Sequence, residues 1–188
     1  MAANTAAISA GSPLQIDFVR PAIGGMIGMT HCPGRNSVDI RGIHWSRDLA
    51  EDISAIAAHR IGLVVSLLDD AELARHGAQA LPAGLATRGI DWVQFAIEDF
   101  QVPGPETIAA WRAALPGLQR RLSGGDSILM HCAAGLGRTG MMAATLLIAS
   151  GETPEAAIHR IRQARPGTIE TAAQETFVRN FASGATAA

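Results

Sequence analysis

The sequence predicts an α/β fold, a mostly parallel central sheet flanked by helices of the kind built from interleaved strands and helices. Three observations carry that reading. The runs "IGLVVSLLDD", "IDWVQFAI" and "DSILMHC" are short, apolar and bounded by turn residues, as buried strands are. Helical patterns separate them, so the connections are too long for hairpins and the strands cross over in parallel. Further helical patterns fill the C-terminal half.

In chain order, residues 1–12 are small and polar and read as a flexible tail. In "WSRDLAEDISAIAAHR", Leu49, Ile53, Ile56 and Ala57 recur at helical spacing and feed the first strand. "AELARHGAQALPAGLATRG" reads as short helical pieces broken at Gly77 and Pro82, followed by the second strand and the loop "EDFQVPGP". "PETIAAWRAALPGLQRRLSGG" is a helix that Pro116 should kink and Gly124 and Gly125 should end. After the third strand comes an apolar helix from Arg138 to Ser150, stopped by Gly151. Thr153 then caps a helix with Pro154 at its first position, "ETAAQETFVRNFA" supplies the last one, and residues 183–188 read as a second tail. The region 13–182 is thus a single domain, as a length of 188 residues suggests.

Composition narrows the function. A hydrophobic share of 48% with 17% charged residues is globular, and a net charge of -2 disfavours a general nucleic-acid or anionic-membrane binder. The longest apolar helix candidate, "MMAATLLIA", is too short to span a bilayer, and no targeting segment is read at the N-terminus. All 15 basic residues are arginine, which hints at a GC-rich bacterial genome. Two cysteines, Cys32 and Cys132, make no disulfide scaffold and fit a reducing cytoplasm. His44, His59, His76 and His159 have no ligand spacing, so neither metal nor cofactor is expected.

The chemistry concentrates in "HCAAGLGRTG". A turn from a buried strand into a helix N-terminus gathers backbone N–H groups and the positive end of the helix dipole, which suits an anion. Gly135 and Gly137 permit unusual backbone angles there, and the Arg138 fork can grip two phosphate oxygens. Cys132 lies among the same groups, an environment that favours a thiolate positioned for in-line attack on phosphorus. A small buried cysteine beside a glycine turn is the bland alternative; the Cys-x5-Arg-Thr spacing between strand and helix argues against it.

This stretch resembles the signature loop of the protein tyrosine and dual-specificity phosphatases. Residues 24–181 resemble, more loosely, the kinase-associated phosphatase branch, through "CPGR" at 32–35, "VVSLLDDAEL" at 64–73, "IEDFQVP" at 97–103 and "GTIETAAQETFV" at 167–178. The resemblance implies Cys132 as nucleophile, Arg138 as phosphate clamp and the backbone of Ala133, Ala134, Gly135, Leu136 and Gly137 as cradle. It makes Asp99 the general acid, with Glu98 its nearest competitor, on a loop whose Pro103, Gly104 and Pro105 suit a hinged lid. Ala96 stands where the family usually has proline. Thr139 directly follows the arginine, where its hydroxyl can donate to the sulfur when the thiophosphate hydrolyses, a helix first-turn threonine being the alternative; His131 is implied to order the loop, a satisfied core histidine being the alternative. Gln174 is implied to position water, a helix-surface glutamine being the alternative. Arg35 is expected to line the cleft, and Cys32 is read as a turn cysteine or a redox partner of Cys132.

The implied activity is hydrolysis of phosphomonoesters on tyrosine, serine or threonine of phosphoproteins through a cysteinyl phosphate. A phosphoinositide or small phosphate ester is the alternative substrate, disfavoured because "CAAGLGR" has no lysine to hold extra phosphates. A rhodanese-type sulfurtransferase would leave the Asp99 loop without a task. A silent phosphoprotein-binding module would need a lost acid or a blocked pocket.

Overall fold

The computed structural model describes residues 7–9, 11–39 and 42–181. The chain runs β1 (Ala7–Ile8), β2 (Asp17–Val19), β3 (Met26–Thr30), β4 (Asn36–Val38), β5 (His44–Ser46), α1 (Leu49–Ala58), β6 (Ile61–Ser66), α2 (Asp70–Arg75) and α3 (Leu81–Ala86). It continues with β7 (Asp91–Gln94), α4 (Pro105–Ser123), β8 (Ser127–His131), α5 (Gly137–Ala149), α6 (Pro154–Ala164) and α7 (Ala172–Arg179). Five strands form the main sheet in the order β2-β3-β8-β6-β7, all pairs parallel except β2 with β3. A small sheet, β1-β5-β4, lies apart from it. The α/β class with a mostly parallel sheet is therefore as the sequence predicts.

Every residue of β8, Ser-Ile-Leu-Met-His, is buried, because helices cover both faces of this central strand. Alternation sends Ile128 and Met130 to one face, where they join Ile27, Met29, Leu63 and Val65 against Trp111, Leu118, Leu146, Ile158 and Val178 of α4 to α7. Leu129 and Val64 face the other way, onto Ile53 and Ile56 of α1 and Leu81 and Leu85 of α3. Each such side chain, fully buried, contributes roughly 1.5–3 kcal/mol. Helix α5 is buried at every position from Gly137 to Ile148, so its N-terminus is held rigidly under the main sheet's C-terminal edge. Its Thr145 hydroxyl accepts the Trp111 indole N–H at 3.0 Å, which satisfies the one polar atom of the largest buried side chain.

Several elements differ from the sequence reading. The strands β2 to β5 were not anticipated, since Gly24, Gly25 and Gly28 interrupt the apolar pattern around β3. Ala7–Ile8, within the stretch read as a tail, pairs with Trp45–Ser46; residues 183–188 lie outside the described residues. Pro82 does not break a helix but sits in the first turn of α3, where its missing N–H has no partner to lose. Helix α4 continues through Pro116, held on both sides of it by buried Trp111, Leu115, Leu118 and Leu122.

Candidate active site

The loop between β8 and α5 wraps around Cys132, which is buried, and Gly135 N–H donates to its Sγ at 3.2 Å. Gly135 adopts φ +72°, and a Cβ there would lie 2.2 Å from the Thr30 carbonyl oxygen, so both its conformation and its closeness to β3 demand glycine. Gly137 differs from the expectation. Its φ is not left-handed; glycine is required for space, because a Cβ would lie 2.5 Å from Glu170 Oε2 and 2.9 Å from Gln174 Oε1.

The loop's carbonyls are gripped from behind. Ala133 O accepts from Arg35 Nη1 at 3.1 Å and from Cys32 N at 3.2 Å. Arg165 donates through Nη2 to Ala134 O at 3.2 Å and through Nε to Gly135 O at 2.6 Å. In a trans peptide the C=O and the following N–H point oppositely, so holding these three carbonyls outward aims the N–H groups of Ala134, Gly135 and Leu136 inward. Arg165 is itself fixed by Asp17 of β2 at 2.6 Å. Arg35 is buried, donates to Ser37 Oγ at 3.1 Å and lies over the Trp45 ring at 5.3 Å. It therefore backs the loop instead of lining the cleft. Behind Arg35, Asp52 accepts from Gly34 N at 2.8 Å and pairs with buried Arg47 at 2.7 Å, which ties the small sheet and the 31–35 turn to α1.

Arg138 opens α5 and is buried. Its Nη1 donates to both carboxylate oxygens of Glu72, at 2.9 and 3.0 Å, and to Ile97 O at 2.8 Å. Nη2 lies 2.9 Å from Asp99 Oδ1 as an ion pair, but neither it nor Nε makes an aligned hydrogen bond. Burial opposes the charge; Cys132, Glu72 and Asp99 outweigh it and hold the guanidinium pKa above its ordinary value. Glu72 was not singled out from the sequence. Its signal was the capping box "DDAE" after a strand: Glu72 N donates to Asp69 Oδ1 at 2.7 Å, and Asp69 N to Glu72 Oε2 at 3.3 Å.

Of the two adjacent carboxylates, Asp99 is the one brought to Arg138, while Glu98 is exposed. The next residue, Phe100, is exposed and has φ +61°, a strained conformation for a bulky side chain. Gln174 is not a surface glutamine: it is fully buried, its Oε1 accepts from Glu170 N at 2.9 Å and its Nε2 donates to Gln101 O at 3.4 Å. It thereby joins the cap of α7 to the Asp99 loop.

The Thr139 hydroxyl is buried without a hydrogen-bond partner, so the implied donation to sulfur is not made here. His131 Nδ1 lies 3.4 Å from Cys132 O, its Nε2 has no partner, and burial pulls its pKa down to about 4. Cys32 donates to Pro33 O at 3.6 Å, and burial pushes its thiol up to about 12; both cysteines are free. Among the described residues, no three His, Cys, Asp or Glu side chains gather as a metal site, and no helix is long and apolar enough to cross a membrane.

Comparison with known proteins places the chain in a family. Residues 43–178 match the family model for a Swiss Army Knife protein DSP-PTPase phosphatase domain, PTP-SAK. PRL-1 phosphatase of Drosophila melanogaster is 33% identical over 97 residues, 52% of this chain and 54% of its own length. Protein tyrosine phosphatase domain-containing protein 1 of Bos taurus is 34% identical over 107 residues, 56% of this chain but 13% of that protein. The chain thus spans about half or less of the length of these curated relatives. In fold it is similar to kinase-associated phosphatase (KAP) with its catalytic cysteine substituted by serine. The TM-score is 0.78 at 23% identity, covering 90% of this chain and 94% of that one.

Proposed function

The chain belongs to the DSP-PTPase phosphatase family, and from that premise we propose that it hydrolyses phosphomonoesters of phosphoproteins, on tyrosine or on serine and threonine, through a cysteinyl-phosphate intermediate. The phosphatase unit is assigned to residues 13–182, and a reducing cytoplasm suits its two free cysteines.

The observation that carries this reading is the state of Arg138. One nitrogen is spent on Glu72 and Ile97, while Nε and Nη2, the two that can bind a phosphate in parallel, are buried and without hydrogen bonds. A buried guanidinium edge left in that condition beside a thiol in an N–H cradle suits an incoming dianion. With its proton given up to solvent, the Cys132 thiolate attacks phosphorus, forming an S–P bond as the ester P–O bond breaks. The leaving oxygen takes its proton from Asp99, which acts as the neutral carboxylic acid once the incoming phosphate has replaced it on Arg138 Nη2. The cradle N–H groups and the Arg138 fork stabilise the equatorial oxygens through the transition state. Water then attacks phosphorus and gives its proton to Asp99, the S–P bond breaks, and inorganic phosphate leaves. The Thr139 hydroxyl, buried and without a hydrogen-bond partner one residue beyond the clamp, donates to the departing sulfur.

The test is a turnover panel of phosphotyrosyl, phosphoseryl and phosphothreonyl peptides and phosphoinositides, with Cys132→Ser as control. Cys132→Ser should fold and lose nearly all turnover. Activity retained above about one per cent of the parent would reject the covalent route.

A further inference from the structure

Glu170 stands on the cradle itself. Its Oε2 accepts the Gly137 N–H at 2.7 Å, at the N-terminus of α5, where the helix dipole and the unpaired N–H groups attract anions. The chain goes to some length to put it there. Ile169, the preceding residue, is β-branched yet holds φ +57°. Gln174 fixes the Glu170 backbone N–H at 2.9 Å from within the Thr171–Gln174 capping box. Gly137 lacks the Cβ that would meet Glu170 Oε2 at 2.5 Å.

We propose that Glu170 is a built-in anion that competes with substrate phosphate for the cradle, and that its charge selects singly phosphorylated substrates over polyphosphorylated ones. The inference rests on the phosphatase reading for its substrate side only. A phosphate dianion entering the loop must displace the carboxylate from Gly137 N–H or lie against it. A second phosphate on the same molecule meets the displaced charge again at the rim. A phosphorylated side chain in a protein brings one phosphate; a polyphosphorylated inositol ring brings several.

The test uses inorganic phosphate as the probe, titrated by calorimetry into the full chain and into Glu170→Gln and Glu170→Ala. Glu170→Gln keeps the shape and the acceptor oxygen but loses the charge. Because Glu170 is exposed, solvent screening limits the effect, and phosphate should bind about five- to ten-fold more tightly in both variants. The kcat/KM for an inositol polyphosphate should also rise, relative to that for para-nitrophenyl phosphate. Phosphate affinity unchanged or weakened in Glu170→Gln, or an unaltered substrate ratio, overturns the proposal. Phosphate binding is measured without turnover, so an inactive parent enzyme would sink the phosphatase reading while leaving the competition between anions intact.

Discussion

Glu72 grips Arg138 with both carboxylate oxygens on a single nitrogen, Nη1, and so leaves Nε and Nη2 on the opposite edge without hydrogen bonds, Nη2 facing only the Asp99 carboxylate as an ion pair. That asymmetry makes the arginine a clamp with one side anchored and the other open. Glu72 is a positioning residue, and Glu72→Gln should lower kcat/KM by about 10- to 100-fold, chiefly through kcat, since a misaimed fork matters most in the transition state. Glu72→Ala should in addition cost about 3–5 kcal/mol of stability, because a buried charge loses its partner. Parallel steady-state kinetics and urea melts separate the two effects. Wild-type kinetics in Glu72→Gln would mean that a neutral acceptor together with Ile97 O suffices to hold the arginine.

Arg165 tests the claim that the cradle is aimed from behind. It holds Ala134 O and Gly135 O at once, and a lysine has no fork to hold both. Arg165→Lys should raise the KM for an aryl phosphate and weaken phosphate inhibition by about 10-fold, a size consistent with losing one or two charge-assisted hydrogen bonds. Asp17→Asn, which frees Arg165 without removing it, should show a smaller loss of the same kind. An unchanged inhibition constant in both variants would rule out the buttress.

The buried histidines set the acid limit of the fold. His31, His76 and His131 have pKa values pulled from 6.5 down to about 4, in each case mainly by burial. Between those two values the unfolded chain binds protons that the folded chain does not. Stability from these groups is therefore complete above pH 6.5 and drains away as the pH falls toward 4. The urea midpoint should drop steadily across that window, and His31→Gln should flatten the slope. A midpoint that stays level from pH 6.5 to 4 would contradict the assignment.

What the sequence disclosed follows from where the physics is local. A strand, a Cys-x5-Arg turn and a helix are contiguous, so Cys132, Arg138 and the strand and helix that flank them could be read directly. Helix caps such as Thr153 with Pro154 are equally local. The residues that aim the loop are not. Glu72, Arg35 and Arg165 reach it across 66, 98 and 31 positions of chain, respectively, and the local signals around them, a capping box at Glu72 and a turn at Arg35, do not say which atoms of the loop they hold. Gly137 illustrates the limit: its need for glycine was legible, but the reason, the Glu170 carboxylate, exists only once the chain is folded. The short strands β2 to β5 escaped for a related reason, since three to five residues carry too little periodicity to outweigh the glycines among them.

Asp99 carries the prediction that most directly separates chemistry from architecture. Its carboxylate lies 2.9 Å from Arg138 Nη2 and its side chain is 56% exposed, so it already stands at the mouth of the cradle. An acid there matters in proportion to how badly the leaving oxygen needs a proton, contributing roughly 10²- to 10⁴-fold for a poor leaving group. Asp99→Asn should therefore depress turnover of phosphotyrosine or an alkyl phosphate strongly and that of a fluorinated aryl phosphate much less. KM should move little, because the proton is transferred in the transition state. Removing the ion pair with Arg138 makes the opposite prediction: a purely electrostatic partner would change phosphate affinity and treat every leaving group alike. A plot of log kcat against leaving-group pKa distinguishes them, steepening in the variant if Asp99 is the acid and shifting in parallel if it is not. If the selective loss appeared in Glu98→Gln instead, the exposed neighbour would have to swing in and the acid would be reassigned.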